Sequence, residues 1–283
     1  MLVALGAVAL GGGLTACAGK PGSGPTTGAG APVDAVTAAP AAAKVAEVAP
    51  MRASVRGGTA ITVSGAGLTR VTAVRIGEVE TPVTSASARR VVFPAPGSPD
   101  FASGTVEAVL LAGAKTVATT RVRYAPVDGI DRQLQYVLTY WKDYNPEYQR
   151  LGSTDCVDFL SQSLLARGWK QQGSWTHAEQ VESSGGAWIS STMFRDFMTA
   201  HPELGSPLTD DQRSEVRLGD VVQFDWDGTG DRDHTGVVTR ITTVDGRTRI
   251  RFAGHTLDSD YRDVDEAITK DHPGGKAYYW SLA

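Results

Sequence analysis

The chain has 283 residues, 41% of them hydrophobic, with a net charge of −4 and a pI near 5.7. That length suits two ordinary domains with cores of normal size. No basic block is present, which argues against a nucleic-acid partner, and the two cysteines, Cys17 and Cys156, make no disulfide framework.

Residues 1–16 form an apolar run of Leu, Val, Ala and Gly, too short for a comfortable membrane span. The run ends Leu14-Thr15-Ala16-Cys17, which resembles a lipobox. The expectation is a lipoprotein signal segment over 1–16 and a lipid on Cys17. An exported protein would then be anchored on the outer face of the cytoplasmic membrane, in the cell envelope. Nothing before Lys20 is positive, so the expected start lies upstream of Met1; an uncleaved apolar anchor is the alternative. Residues 17–44 are Gly, Pro, Ala, Ser and Thr with almost no bulky side chains, and read as a flexible tether.

From 45 to 126 the character changes. Short alternating segments recur, among them Ala60–Ser64, Ala73–Ile76, Arg90–Phe93, Thr105–Leu110 and Thr120–Tyr124, separated by turn residues. This spacing predicts a small all-β sandwich. The stretch Gly57-Gly58-Thr59-Ala60-Ile61-Thr62-Val63-Ser64-Gly65-Ala66-Gly67-Leu68, with Ile76-Gly77 and Pro94, resembles the IPT/TIG immunoglobulin-like domain. No chemistry is visible in it. A spacer is the default reading, and a wall polymer or protein partner on the sandwich is the alternative.

The second domain is expected over 127–283. Leu134, Val137, Leu138 and Trp141 fall at i, i+3, i+4 and i+7 and predict an amphipathic helix that stops at Asn145-Pro146. In Ser153-Thr154-Asp155-Cys156 the first three residues suit a helix N-cap, the apolar stripe Phe159, Leu160, Leu164, Leu165 follows, and Gly168 ends it. Cys156 therefore falls in the first turn, where the helix dipole favours thiolate; a small buried hydrophobe is the usual role of a free cysteine. Gly168 to Trp188 reads as a loop whose Trp175 and Trp188 are candidate substrate-stacking residues or packing aromatics. Ser191 to His201 reads as a short helix capped by Ser191. Leu218–Phe224 reads as a turn and strand, His234–Thr239 as the next strand, and Arg249–His255 as another. Between them Asp225, Asp227, Asp231 and Asp233 resemble the first part of a calcium loop without its closing glutamate, so calcium is a speculative ligand and an acidic hairpin tip the alternative. No Cys/His zinc spacing exists, and no cofactor is expected.

Tyr140-Trp141, Tyr144-Asn145-Pro146-Glu147-Tyr148, Asp155-Cys156-Val157-Asp158-Phe159-Leu160-Ser161-Gln162, Gly168-Trp169, Leu218-Gly219-Asp220-Val221-Val222 and Asp233-His234-Thr235 occur in one order. Together they resemble the bacterial putative amidase domain, related to NlpC/P60 and CHAP cysteine hydrolases, from about Asp131 to the C-terminus. The resemblance implies an α+β papain-like (NlpC/P60-type) domain with the cysteine at a helix N-terminus packed on an antiparallel sheet. It implies Cys156 as nucleophile, His234 as the base and His255 as the orienting residue, with Asp258 competing for that third role. Backbone N–H groups at the start of the Cys156 helix would serve as oxyanion donors. Asp158 stands where the family often has asparagine and adds a charge near the thiolate.

The expected function is a surface-anchored cysteine hydrolase that cleaves amide bonds of cell-wall peptidoglycan or its stem peptides, as amidase or endopeptidase. A non-catalytic binding lipoprotein with a degenerate hydrolase scaffold is the alternative. A Cys/His acyltransferase is another, because hydrolysis and acyl transfer share an acyl-enzyme.

Overall fold

A computed structural model describes residues 42–177 and 186–283; the signal segment, Cys17 and almost all of the tether lie outside the described residues. Two sheets form the first domain. One has the order β1-β2-β6-β5, from β1 (Lys44–Ala49), β2 (Ala60–Ala66), β5 (Ser85–Ala86) and β6 (Arg90–Pro94). The other has the order β4-β3-β7-β8, from β3 (Ala73–Ile76), β4 (Val79–Pro82), β7 (Gly104–Ala112) and β8 (Lys115–Tyr124). Alternation decides the faces. Ile61, Val63, Val91, Phe93, Leu110, Val122 and Tyr124 point inward and are buried, because a pleated strand sends successive side chains to opposite sides. The β7–β8 hairpin pairs Ala112 with Lys115 and turns at Gly113, whose φ of 59° suits glycine.

The first helix of the second domain belongs to both domains. In α1 (Gly129–Tyr140) Asp128 caps the N-terminus by accepting from the Asp131 N–H. Leu134, on one side of α1, is buried in the sandwich core, while Val137 packs into the core of the second domain. Asp131 is fully buried. It accepts from the Ser54 hydroxyl at 2.9 Å and from Arg56 Nε at 2.6 Å, and Arg56 also pairs with Asp128. Gln135 reaches the Phe101 carbonyl and the Ser103 hydroxyl, and the Tyr261 hydroxyl donates to Asp100. A half-buried ion pair and a shared core join the two domains as one packed body.

A six-stranded antiparallel sheet organises the second domain, with β9 (Gly205–Thr209), β10 (Val221–Asp225), β11 (His234–Val244), β12 (Arg247–Gly254), β13 (Ser259–Asp263) and β14 (Lys276–Leu282) in the order β13-β12-β11-β10-β14-β9. One face packs on α1, α2 (Asp155–Arg167) and α3 (Ser191–Ala200) through Val221, Val237, Ala253 and Trp280. The other face buries Val222, Phe224, Val238, Phe252 and Tyr279 beneath short turn segments. At the α2 C-terminus Gly168 has φ 114° and donates to the Leu164 and Leu165 carbonyls, as its position predicted. Arg167 then reaches Gln133 at 2.9 Å and the carbonyls of Leu282 and Ala283, fixing the last strand to the helices. Among the described residues no helix is long and apolar enough to cross a membrane.

Candidate functional site

Cys156 is the second residue of α2. Asp155 does not cap the helix in the usual way. One of its oxygens accepts from the Leu151 N–H at 2.6 Å, and the other meets His255 Nδ1. Cys156 points at the sheet and is 6% exposed. Its sulfur lies 3.8 Å from the Ser191 hydroxyl, and the backbone N–H groups of Thr235 and Val157 favour its charged form.

Behind Ser191 stands a directed run of hydrogen bonds. The Trp280 indole donates to Gln223 Oε1 at 3.0 Å. Gln223 Nε2 donates to the Thr235 hydroxyl at 3.2 Å and to the Ser191 carbonyl at 2.8 Å. Thr235 donates to Ser191 Oγ at 2.9 Å. Ser191 Oγ keeps a second lone pair and its own proton, so either it or the Cys156 thiol donates across the 3.8 Å between them. The helix cap expected of Ser191 falls to Ser190 instead, which accepts from Met193 N. Gln223 and Ser191 escaped sequence reading, though Gln223 carries a signal: it is the polar residue inside the apolar run Val221-Val222-Gln223-Phe224.

Burial nevertheless dominates the thiol. It pushes the Cys156 pKa up, with Asp155 adding to the rise, while the Ser191 bond and the two N–H donors oppose it. Burial thus works against the thiolate expected at a helix start. The dipole contributes modestly, whereas a buried thiolate pays the desolvation cost of a charge.

The two histidines separate. Strand alternation puts Thr235 and Val237 of β11 on the helix face and His234 and Val238 on the other. The His234 ring accordingly packs against Phe224, Trp226 and Phe252 at centroid distances of 5.9, 6.0 and 6.1 Å. Burial holds it neutral, with a pKa lowered to about 3 and with Arg262 and His272 adding to the effect. The expected Cys156–His234 pair is not formed in this geometry. One residue of register decides the face, and the motif alone does not show the register.

His255 lies just past β12. Val237 pairs with Ala253, and continuing that register sets His255 opposite Thr235, on the face of Cys156. Its Nδ1 meets Asp155 and its Nε2 lies 2.8 Å from the Tyr140 carbonyl. That carbonyl only accepts, so Nε2 carries a proton. The ring is layered between Phe159 and Tyr144, each 3.9 Å away, and the Arg150 guanidinium covers Tyr144 at 3.9 Å. Asp258, the competing third residue, accepts from the Tyr144 hydroxyl at 2.8 Å and so acts one layer away.

Asp158 is fully buried. It accepts from the Trp188 indole at 2.5 Å and from Gln162 Nε2 at 2.6 Å. Gln162 Oε1 in turn accepts from Tyr136. Burial raises the Asp158 carboxyl to about 7, against those two hydrogen bonds. Trp175 and Trp188, considered above as stacking residues for substrate, are fully buried, with ring centroids 5.1 Å apart. Their indole N–H groups go to Ser161 and Asp158. They are core, because each large ring brings a polar atom that α2 satisfies.

Asp225, Asp227, Asp231 and Asp233 gather their oxygens within 4.8 Å of one another. Each already accepts from the loop's own backbone or from Thr229: Gly228 and Gly230 N–H on Asp225, Trp226 N–H on Asp233, and the Thr229 hydroxyl on Asp227 and Asp231. The loop folds as an acidic hairpin tip on its own hydrogen bonds.

Residues 43–124 match the model of the IPT/TIG domain. Two curated relatives come from Bacillus subtilis (strain 168). The uncharacterized protein YjcM is 24% identical over 156 residues, covering 53% of this chain and 35% of that protein. The uncharacterized protein YhbB is 28% identical over 120 residues, covering 37% of this chain and 35% of that one. The chain thus spans about a third of the length of these relatives. A solved structure, the Bacteroides ovatus mixed-linkage glucan utilization locus SGBP-B with a mixed-linkage heptasaccharide, aligns over 82% of this chain and 50% of its own. Its 12% identity and TM-score of 0.22 carry no argument. The model of the Putative amidase domain matches residues 130–280, more than half of the chain, and covers α2, the sheet and both histidines: the chain belongs to that family.

Proposed function

We propose that the protein is a cysteine hydrolase that cleaves amide bonds of cell-wall peptidoglycan, with Cys156 as nucleophile and His255, held by Asp155, as its base. The observation that carries this reading is the shared face. Cys156 and the Asp155–His255 pair occupy the start of one helix, while His234 is on the far side of the sheet. In the working state His255 leaves the Tyr140 carbonyl and gives its Nε2 proton to solvent. The neutral ring, its Nδ1–H held by Asp155, then takes the thiol proton at Nε2. The sulfur then attacks the amide carbon, and the C–N bond breaks as imidazolium returns the proton to the leaving amine. Water cleaves the thioester and releases a carboxylate. The N–H groups of Val157 and Thr235, which favour a charged sulfur, are suited to the oxyanion. In this reading Tyr144, stacked on His255, swings aside to admit substrate, and the 141–151 loop that carries it is the proposed substrate side.

The wall as substrate rests on the expected lipid anchor at Cys17 and on a tether long enough to reach a polymer outside the membrane. The test is digestion of purified peptidoglycan by the full chain, with new amine and carboxyl ends located by mass spectrometry. Cys156→Ala should lose cleavage completely with an unchanged melting temperature, and retained cleavage by that variant sinks the proposal. A second reading, a binding protein on a degenerate hydrolase scaffold, is favoured by the raised thiol pKa and the occupied His255. It predicts no cleavage by wild type and alkylation of Cys156 that rises only above pH ~8.5.

A further inference from the structure

The two domains differ sharply in charge. Residues 43–126 hold ten Lys and Arg against five Asp and Glu, whereas residues 127–283 hold sixteen against twenty-five. The basic excess has a location. The end of the sandwich that touches the second domain carries Ser54, Arg56, Asp100 and Phe101. The opposite end is formed by the start of β1, the β2–β3 connection, the start of β6 and the β7–β8 hairpin. Strand register fixes this: Lys44 pairs with Ala66, Ser64 with Arg90, and Ala112 with Lys115, all at strand ends remote from Gly104 and Tyr124. Lys44, Arg70, Arg89, Arg90 and Lys115 meet there. All five are exposed, and none belongs to an ion pair among the described residues. Glu47 sits three residues along β1 from Lys44. A hollow of about 540 Å³ opens at this end, bordered by Arg70 and Lys115 and by no acidic side chain.

We infer that this tip is a docking surface for an anionic lipid bilayer, gripping phosphate headgroups independently of any covalent lipid. Two observations select a bilayer. Charge complementarity demands a polyanion, and the five cations crown one end of the domain as a cap, the shape that a flat surface presses on. The described chain also enters β1 at this end, at Lys44. The acidic second domain is held at the far end, where repulsion by the same surface keeps it turned outward. Each cation near such a surface contributes about fivefold in affinity, screened by salt. The inference does not rest on the hydrolase reading.

The test is co-flotation of the full chain carrying Cys17→Ser, which removes any acyl chain, with vesicles of phosphatidylglycerol and phosphatidylcholine. It should float with them at low salt, be released at high salt, and ignore pure phosphatidylcholine. The variant Arg70→Gln/Arg89→Gln/Arg90→Gln/Lys115→Gln, all exposed sites, should lose roughly a hundredfold or more in affinity while melting at the wild-type temperature. Equal flotation of the variant overturns the inference. So does binding of soluble polyglycerol phosphate by a protein that ignores the vesicles, because the partner is then a wall polymer.

Discussion

One sheet carries a histidine on each face, and the two have opposite surroundings. On the helix face His255 has a carboxylate at one nitrogen, a carbonyl at the other and flat rings above and below. On the far face His234 lies among Phe224, Trp226 and Phe252, with no hydrogen bond to its ring among the described residues. Both are buried. The difference teaches that burial by itself does not make a catalytic base. His255 is oriented by a carboxylate and a carbonyl. His234 is simply kept neutral, the cost of protonating it rising with its desolvation. The same contrast runs through the rest of the faces. Cys156, Ser191, Gln223, Thr235 and Asp158 share the helix side, and the other side is aromatic and aliphatic.

The sharpest way to break this comparison is to exchange the roles. His255→Gln should lower kcat on peptidoglycan fragments by about a thousandfold or more, the scale of a lost general base combined with a lost partner for Asp155. His234→Phe should retain activity within about tenfold, since it removes no hydrogen bond and fills similar space. Kinetics on both purified variants decide it: if His234→Phe is inactive and His255→Gln is not, the assignment reverses. Next in size come the indoles. Trp188→Phe leaves Asp158 with one donor fewer in the core and should destabilise by about 2 kcal/mol. Trp226→Phe on the other face, whose indole N–H has no partner among the described residues, should cost under about 1 kcal/mol. Urea unfolding at constant pH compares the two, and equal losses would mean that the polar side of the sheet has no special stake in its hydrogen bonds.

How legible this was in the sequence follows from which features are local. The end of α2 and strand alternation were readable because Gly168 and the β-branched runs act within a few residues, whereas α1 ends at Tyr140, before the Asn145-Pro146 expected to stop it. The sandwich core came from period-two patterning. The face of His234 was not readable, because it depends on where β11 registers against β10, Phe224 opposite His234, a pairing set by the whole sheet. The fates of Trp175 and Trp188 were hidden for a related reason. Gly, Ser and Gln around them look like surface, yet Ser161 and Asp158 on α2 offer exactly two acceptors below. The domain junction was missed because Arg56 and Asp131 lie 75 residues apart and neither sits in a motif.

The smallest net effect in the wild type is expected from a pair of opposed pH slopes, one from each face, that cancel. Asp158 has a folded pKa raised to about 7. Between the unfolded carboxylate value and that point the folded state holds a proton that the unfolded state has released. Stability from this group is therefore present at low pH and falls as pH rises toward 7, by up to about 1.4 kcal/mol per unit. His234 has a folded pKa lowered to about 3. Between there and the unfolded histidine value the unfolded state holds the extra proton, so stability rises with pH at up to the same slope. From about pH 4 to 6.5 the two nearly cancel, and wild type should show a flat profile. Asp158→Asn removes the falling limb and should expose a rise with pH. His234→Phe removes the rising limb and should expose a fall. Unfolding free energies measured across that window for the three proteins should give slopes of zero, positive and negative sign. If both variants stay as flat as wild type, neither group is held away from its ordinary pKa, and the contrast between the two faces loses its electrostatic basis.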